Sequence, residues 1–209
     1  AVNYDYTNYY HDEFSGRSLD AAFSVHTHHF SLKTNFKDSR LFHNTQLGWW
    51  TEYRQYESGG RTNTVDTDEL TQALFFYSEK GFNRLKLNTA LRLEHKKVMP
   101  SIEKLDLRIG RIRGRQFLNF AASFRAGYIF TESFDMGLTF FRAFRAPGIE
   151  ELFSDGPHLA AYAFETGNAD LDPEKSIGLE LSSAFSSDRF SLSAAAYYNY
   201  IDGYLFAQN

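Results

Sequence analysis

The residues best suited to chemistry gather between Phe140 and Ser176, in FFRAFRAPGIEELFSDGPHLAAYAFETGNADLDPEKS. This stretch carries Glu150, Glu151, Asp155, His158 and Glu165, with Arg142 and Arg145 at its entrance. An imidazole among several carboxylates is a donor set that zinc accepts. His158 and Glu165 are metal candidates on that ground, and His11, followed by Asp12 and Glu13, is a third. The two arginines could steer an anionic chelate toward the loop, or pair with the acids across it. A blander reading stands beside these, in which Asp155-Gly156-Pro157 is a turn and His158 and the acids are solvated. His26, His28 and His29 also cluster. Residues 26 and 28 share the strand face that continues as Phe30, Leu32 and Phe36, so they read as interface histidines. The chain has no nucleophile elbow, no His-Glu-x-x-His and no phosphate-cradling glycine loop, so nothing points to an enzyme.

The elements that must position these residues are strands. From Arg84 to Glu94 the odd positions Leu85, Leu87, Thr89, Leu91 and Leu93 oppose Arg84, Lys86, Asn88, Ala90, Arg92 and Glu94. That is a period of two, which excludes a helix. Leu118 to Phe130, Phe134 to Phe140, Ile177 to Phe185 and Phe190 to Tyr198 repeat the pattern. The spacing predicts about nine strands, near 1–10, 25–37, 40–54, 69–80, 83–96, 116–131, 133–143, 174–186 and 189–203. In the fourth, Leu70, Leu74 and Phe76 compete with Ala73, Phe75 and Tyr77 for the apolar face. Short turns are expected at Lys37–Arg40, Lys80–Asn83, Thr131–Ser133 and Ser186–Asp188. Longer polar segments are expected at His11–Asp20, Gln55–Asp68, Lys96–Arg115 and Ala146–Asp172.

Tight turns on one side and long loops on the other are the pattern of an outer-membrane barrel. Aromatics near predicted strand ends, such as Tyr9-Tyr10, Trp49-Trp50 and Tyr197-Tyr198, fit headgroup girdles. A soluble antiparallel sandwich is the alternative fold. Arg84, Lys86, Arg92, Glu94, Arg125, Asp135 and Glu180 fall on the lumen face, as solute path, plug contact or merely tolerated charge. Pro173 opens a strand, where its missing N–H costs nothing.

Phe144-Arg145-Ala146-Pro147, then Glu150-Glu151-Leu152, then Gly167-Asn168 through Leu171, Pro173, Glu174 and Ser176 closely resemble the outer loop of TonB-dependent outer-membrane receptors. The resemblance implies an all-β chain: a transmembrane antiparallel barrel, with about nine strands of a wall of about 22. Residues 1–209 would form a partial barrel domain without the plug. It further implies a Gram-negative outer membrane and active import of a scarce metal chelate, metal ion or cobalamin. Binding would occur at the loop mouth, with energy from the TonB–ExbB–ExbD complex acting through the plug. Gly156-Pro157-His158-Leu159-Ala160, Phe164-Glu165 and Gly167-Asn168 resemble the subset associated with zinc or other metal uptake. The expected partners are outer-membrane lipid, TonB and a small-molecule or metal ligand, with no resident cofactor. A passive porin and a soluble β-rich binding module are the alternatives.

Composition is consistent with this and removes other classes. A formal net charge of -4 argues against nucleic acid as a partner. With no cysteine there is no disulfide framework or thiolate metal site. The 21 Phe and 13 Tyr exceed what most soluble domains of this length need to bury. No run approaches the roughly 18 apolar residues of a membrane helix, which leaves barrel strands untouched because half their positions are polar. Ala1-Val2-Asn3-Tyr4 reads as the inside of a strand and no signal peptide opens the chain, so a piece of a longer protein is expected.

Overall fold

The structure is a computed structural model and describes residues 1–37, 43–158 and 163–206; of His158 it describes the backbone alone. The expected turn at Lys37–Arg40 therefore lies largely outside the described residues. The strands are β1 (Val2–Ser15), β2 (Ser18–Phe36), β3 (His43–Gly60), β4 (Thr67–Phe82), β5 (Leu85–Pro100), β6 (Lys104–Asp106), β7 (Gly110–Ile112), β8 (Arg115–Thr131), β9 (Phe134–Arg145), β10 (Asp155–His158), β11 (Ala163–Thr166), β12 (Glu174–Ser186) and β13 (Ser191–Asp202). One short helix, α1 (Ile149–Phe153), follows β9. Nine strands form one antiparallel sheet in the order β1-β2-β3-β4-β5-β8-β9-β12-β13. The pairs β6–β7 and β10–β11 are small hairpins inside the loops. A two-sheet sandwich is ruled out by this order, because every long strand belongs to the same sheet.

The long strands overrun the expected boundaries at one end. His11–Asp20 is not a long loop: β1 runs to Ser15, β2 starts at Ser18, and Gly16 at φ 62 closes the turn. Only Gly readily accepts that left-handed backbone. Likewise β3 runs to Gly60 and β5 to Pro100. The physical reason is that water on both faces of a strand removes the alternation while backbone pairing continues. A polar stretch there looks like loop in sequence.

The sheet has two chemically distinct faces. One carries exposed Leu47, Leu74, Leu91, Leu93, Phe120, Phe124, Leu138, Phe140, Leu179 and Leu192. The other carries most of the charge and is covered at one end by the loops; we call it the inner face. On β4, Leu74 and Phe76 lie outside and Ala73, Phe75 and Tyr77 inside, paired with Glu94, Arg92 and Ala90 of β5. An aromatic fits inside here because Phe75 lies flat on Gly48, where an added Cβ would meet its ring at 2.1 Å. Phe141 covers Gly178 in the same way. The girdle expectation needs correction at Trp49-Trp50. The pair sits in mid-strand and is split between the faces, with Trp49 outside against Phe30 and Trp50 inside against His29 and Arg92.

The apolar core sits at the loop-bearing end of the inner face. Ile149, Leu152, Phe153 and Ala169 from the loop after β9 join Ile109 and Ile112 from the β6–β7 loop. Both pack on Tyr56, Val98 and Phe117 of the wall.

Candidate functional site

The loop after β9 is folded by its own sequence. Ile149, Leu152 and Phe153 have the i, i+3, i+4 spacing of one helix face, and all three are fully buried. Glu151 caps the turn, its Oε2 accepting from the Gly148 N–H at 2.8 Å. Beyond α1 the chain doubles back as the β10–β11 hairpin. Gly167 N–H then donates to Ser154 O at 2.8 Å, Asn168 N–H to Glu151 O at 2.8 Å and Ala169 N–H to Ile109 O at 2.9 Å. The loop is thus a tied strap across the inner face.

Arginines and a lysine fasten the strap to the wall. Arg145 donates to both oxygens of Glu151 at 2.8 Å and, through Nε, to Glu174 at 2.6 Å. Arg54 of β3 reaches Glu150 at 2.9 Å and Glu69 of β4 at 3.3 Å. Lys96 of β5 lies 2.6 Å from the same Glu69 and donates to Pro147 O at 3.1 Å. Arg108 holds the buried Asp155 at 2.6 Å. At the far end, Arg115 donates to Ala169 O, to Leu171 O at 2.9 Å and to Asp172 at 3.2 Å.

Three of the acids singled out as ligands are therefore occupied: Glu150 by Arg54, Glu151 by Arg145 and Asp155 by Arg108. Of the two roles considered for Arg145, pairing across the loop is the one realised. Arg142 does not share it. It pairs with Ala122 on the outer face, beside Leu138 and Phe140, and donates to Phe120 O. The reason is parity: residues three apart on a strand point to opposite faces.

Beneath the strap lies a cleft of about 470 Å³, bounded by Tyr9, His11, Phe23, Arg54, Tyr56 and Glu165. His11 is a strand residue here, not a loop residue, with its Nε2 3.2 Å from Glu13 Oε1. Glu165 reaches the same cleft from β11. The backbone of His158 pairs with Ala163, and its side chain lies outside the described residues. Among the described residues, no group of three or more His, Cys, Asp or Glu side chains is arranged to hold a metal ion. His26 and His28 are on the outer face as expected, bonded to the hydroxyls of Tyr6 at 2.9 Å and Tyr4 at 2.8 Å. His29 is inside, 3.6 Å from Asp5.

Arg54, Tyr56, Glu69, Lys96 and Arg108 were not singled out from the sequence. For the four on the wall strands the signal was inner-face parity near the outer strand ends, which marks side chains that face the loops; Arg108, on a turn, carried no such signal. Arg108 is presented by the β6–β7 turn. There Asp106 accepts from the Arg108 N–H at 2.9 Å and the Ile109 N–H at 3.2 Å, and these bonds hold its carboxyl below the usual range. A depressed folded pKa adds stability that is present above the ordinary carboxylate value of about 3.9 and lost as pH falls through the folded one. Amide exchange at Arg108 and Ile109 should thus stay protected at mildly acid pH and rise only below that value. Loss of protection near neutrality would refute this.

The family model "TonB dependent receptor-like, beta-barrel" matches residues 1–209. The copper transporter OprC shares the fold with a TM-score of 0.73 at 16% identity, over 96% of this chain and 35% of that one. A double mutant of the Serratia marcescens hemophore receptor HasR, solved with its hemophore HasA and heme, gives 0.64 at 15%, over 88% and 34%. The ferric yersiniabactin uptake receptor FyuA of Yersinia pestis gives 0.60 at 15%, over 96% and 32%. The chain spans about a third of the length of these structures, and its sheet is a fragment of a larger barrel wall. With the family model matched from end to end, the chain belongs to the TonB-dependent receptor β-barrel family.

Proposed function

We propose that this chain supplies part of the wall and the ligand-binding mouth of an outer-membrane receptor for active uptake of a metal complex. Energy would come from TonB, ExbB and ExbD acting through a plug. The observation that carries this is the cleft beneath the strap on the inner face. Its aromatic walls, Tyr9, Phe23 and Tyr56, suit a bulky chelate. Arg54, shared between Glu69 and Glu150, offers a cation that an anionic chelate can compete for. Three proteins of the same fold are named for copper, heme or ferric yersiniabactin, which supports a metal-bearing ligand. A strap clamped at several points also favours gated uptake over a passive pore.

The test is accumulation of iron-55 by cells carrying the full-length protein, with and without TonB. Ferric citrate, a ferric hydroxamate and a ferric catecholate would be the probes. TonB-dependent accumulation of at least one is expected. Equal accumulation in both strains would mean a pore.

One observation favours a second reading, a free zinc ion: His11 and Glu165 face the same cleft, and His158 lies on the hairpin strand that pairs with β11. In that case His158→Ala weakens zinc binding to the complete receptor about tenfold or more, since loss of even an outer-shell partner of a metal ligand typically costs about 10–100-fold. An unchanged zinc isotherm in His158→Ala and in His11→Ala would remove this reading and leave the chelate.

A further inference from the structure

The outer face holds a feature that solute uptake does not use. An apolar groove of about 620 Å³ crosses β3, β4 and β5, walled by Leu47, Trp49, Leu74, Phe76, Leu91 and Leu93. Its lining is almost wholly carbon. The face changes character just beyond it, toward the loop-bearing end. Continuing along β5 from Leu93, the next two outward residues are His95 and Lys97. His95 lies between Gln72 of β4 and Leu118 of β8, and Lys97 between Leu70 of β4 and Gln116 of β8. Side chains at alternate positions share a face, so His95, Lys97, Gln72 and Gln116 form a polar ledge at the end of the groove, flanked by Leu70 and Leu118. His95 Nε2 lies 3.4 Å from Gln116 Oε1.

Lys97 stands out within this ledge. Its neighbour Lys96, on the inner face, is locked to Glu69 at 2.6 Å. Lys97 has no ion-pair partner among the described residues. The nearest outward acid along β4, Asp68, is engaged by the Tyr53 hydroxyl at 2.7 Å. An unpaired ammonium about four residues, roughly 13 Å, along the strand from the groove's Leu93 lies at headgroup depth if the groove holds an acyl chain.

We propose that the groove and ledge form a site for one acidic membrane lipid. Its chain lies along Leu74, Leu91 and Leu93, and its phosphate meets Lys97, with the Gln116 amide, whose oxygen faces His95, offering further N–H donors. The charge complementarity chooses this occupant: a neutral lipid would fill the groove and leave Lys97 unpaired, whereas an acidic lipid supplies both the apolar chain and the anion. The inference rests on the reading of the sheet as a membrane wall.

Trp49 lines the groove and reports on it. The full-length protein would be placed in nanodiscs of phosphatidylcholine. A tenth of the lipid would be brominated in its chains and supplied either as phosphatidylglycerol or as phosphatidylcholine. The Trp49 signal is the difference between this protein and its Trp49→Phe variant. Brominated phosphatidylglycerol should be enriched at Trp49 about fivefold over brominated phosphatidylcholine, the worth of one lysine beside an anionic headgroup. That excess should vanish in Lys97→Gln, survive in Lys97→Arg, and survive in Lys175→Gln, which removes an outward lysine on β12. Equal quenching by the two lipids, or an excess that persists in Lys97→Gln, overturns the site while leaving the wall intact. No quenching by either lipid overturns the membrane-wall reading itself.

Discussion

Phe153→Ala will release the strap that follows β9 while leaving the sheet paired. Phe153 is fully buried between the loop and the wall, with Ile149 and Leu152 beside it on the same helix face. Truncating a buried Phe typically costs about 3–5 kcal/mol through lost burial and a residual cavity. A five-residue helix has no stability of its own to draw on, since short helices persist only through packing. The loss should therefore appear locally, as faster amide exchange across 146–158 and 163–172 in the full-length receptor, with the amides of β5 and β8 unchanged. Phe153→Leu should keep most of the protection. Unchanged exchange in Phe153→Ala would show that the ion pairs alone hold the strap. Faster exchange in β5 and β8 as well would show that the core serves the wall rather than the loop.

The second large effect is expected at Glu69. It is buried on the inner face, between Arg54 at 3.3 Å and Lys96 at 2.6 Å. Removing one partner of a buried ionic group typically costs about 3–5 kcal/mol, because the remaining charge is left uncompensated. In Glu69→Ala Lys96 loses its carboxylate partner and Arg54 keeps only Glu150, and both cations also hold the strap, Arg54 through Glu150 and Lys96 through Pro147 O. The variant should unfold at lower urea in micelles and expose the strap to proteases. The double variant Glu69→Leu/Lys96→Met removes a charge of each sign and should recover a substantial part of the loss. If the double variant is no more stable than the sum of its single changes, Glu69 and Lys96 are not coupled and the clamp is not electrostatic.

The strands and their faces were legible because a membrane wall imposes a strict alternation on the sequence. The Leu85–Leu93 face, the Leu118–Phe130 face and the count of nine long strands all follow from it. The same rule also held the answer for Arg142 and Arg145, which parity alone assigns to opposite faces. The upper strand ends were hidden where the solvent stops differing between the faces, as at His11–Ser15. Helix α1 was within reach through the spacing of Ile149, Leu152 and Phe153. The clamps were not. Arg54 and Glu150 are 96 residues apart, and no local pattern says which arginine answers which acid.

The overrun of the strands bears on what can attack or recognise the mouth. β2 has 19 residues, about 60 Å of strand, which at a barrel tilt rises roughly 45–50 Å. The apolar band of such a wall is only about 25 Å tall. In the outer-membrane setting proposed above, much of the hairpin β1–β2 would stand clear of the bilayer as a stiff palisade of paired backbone. A protease needs an extended, unpaired segment to thread into its cleft, and a palisade offers none. Surface digestion should therefore spare 11–20 despite its polarity, spare the tied strap after β9, and cut first among 61–63 and 101–108, where Leu105 and Leu107 are exposed. An antibody raised to a linear peptide from 11–20 should fail on intact cells, because its epitope exists there only as a folded edge.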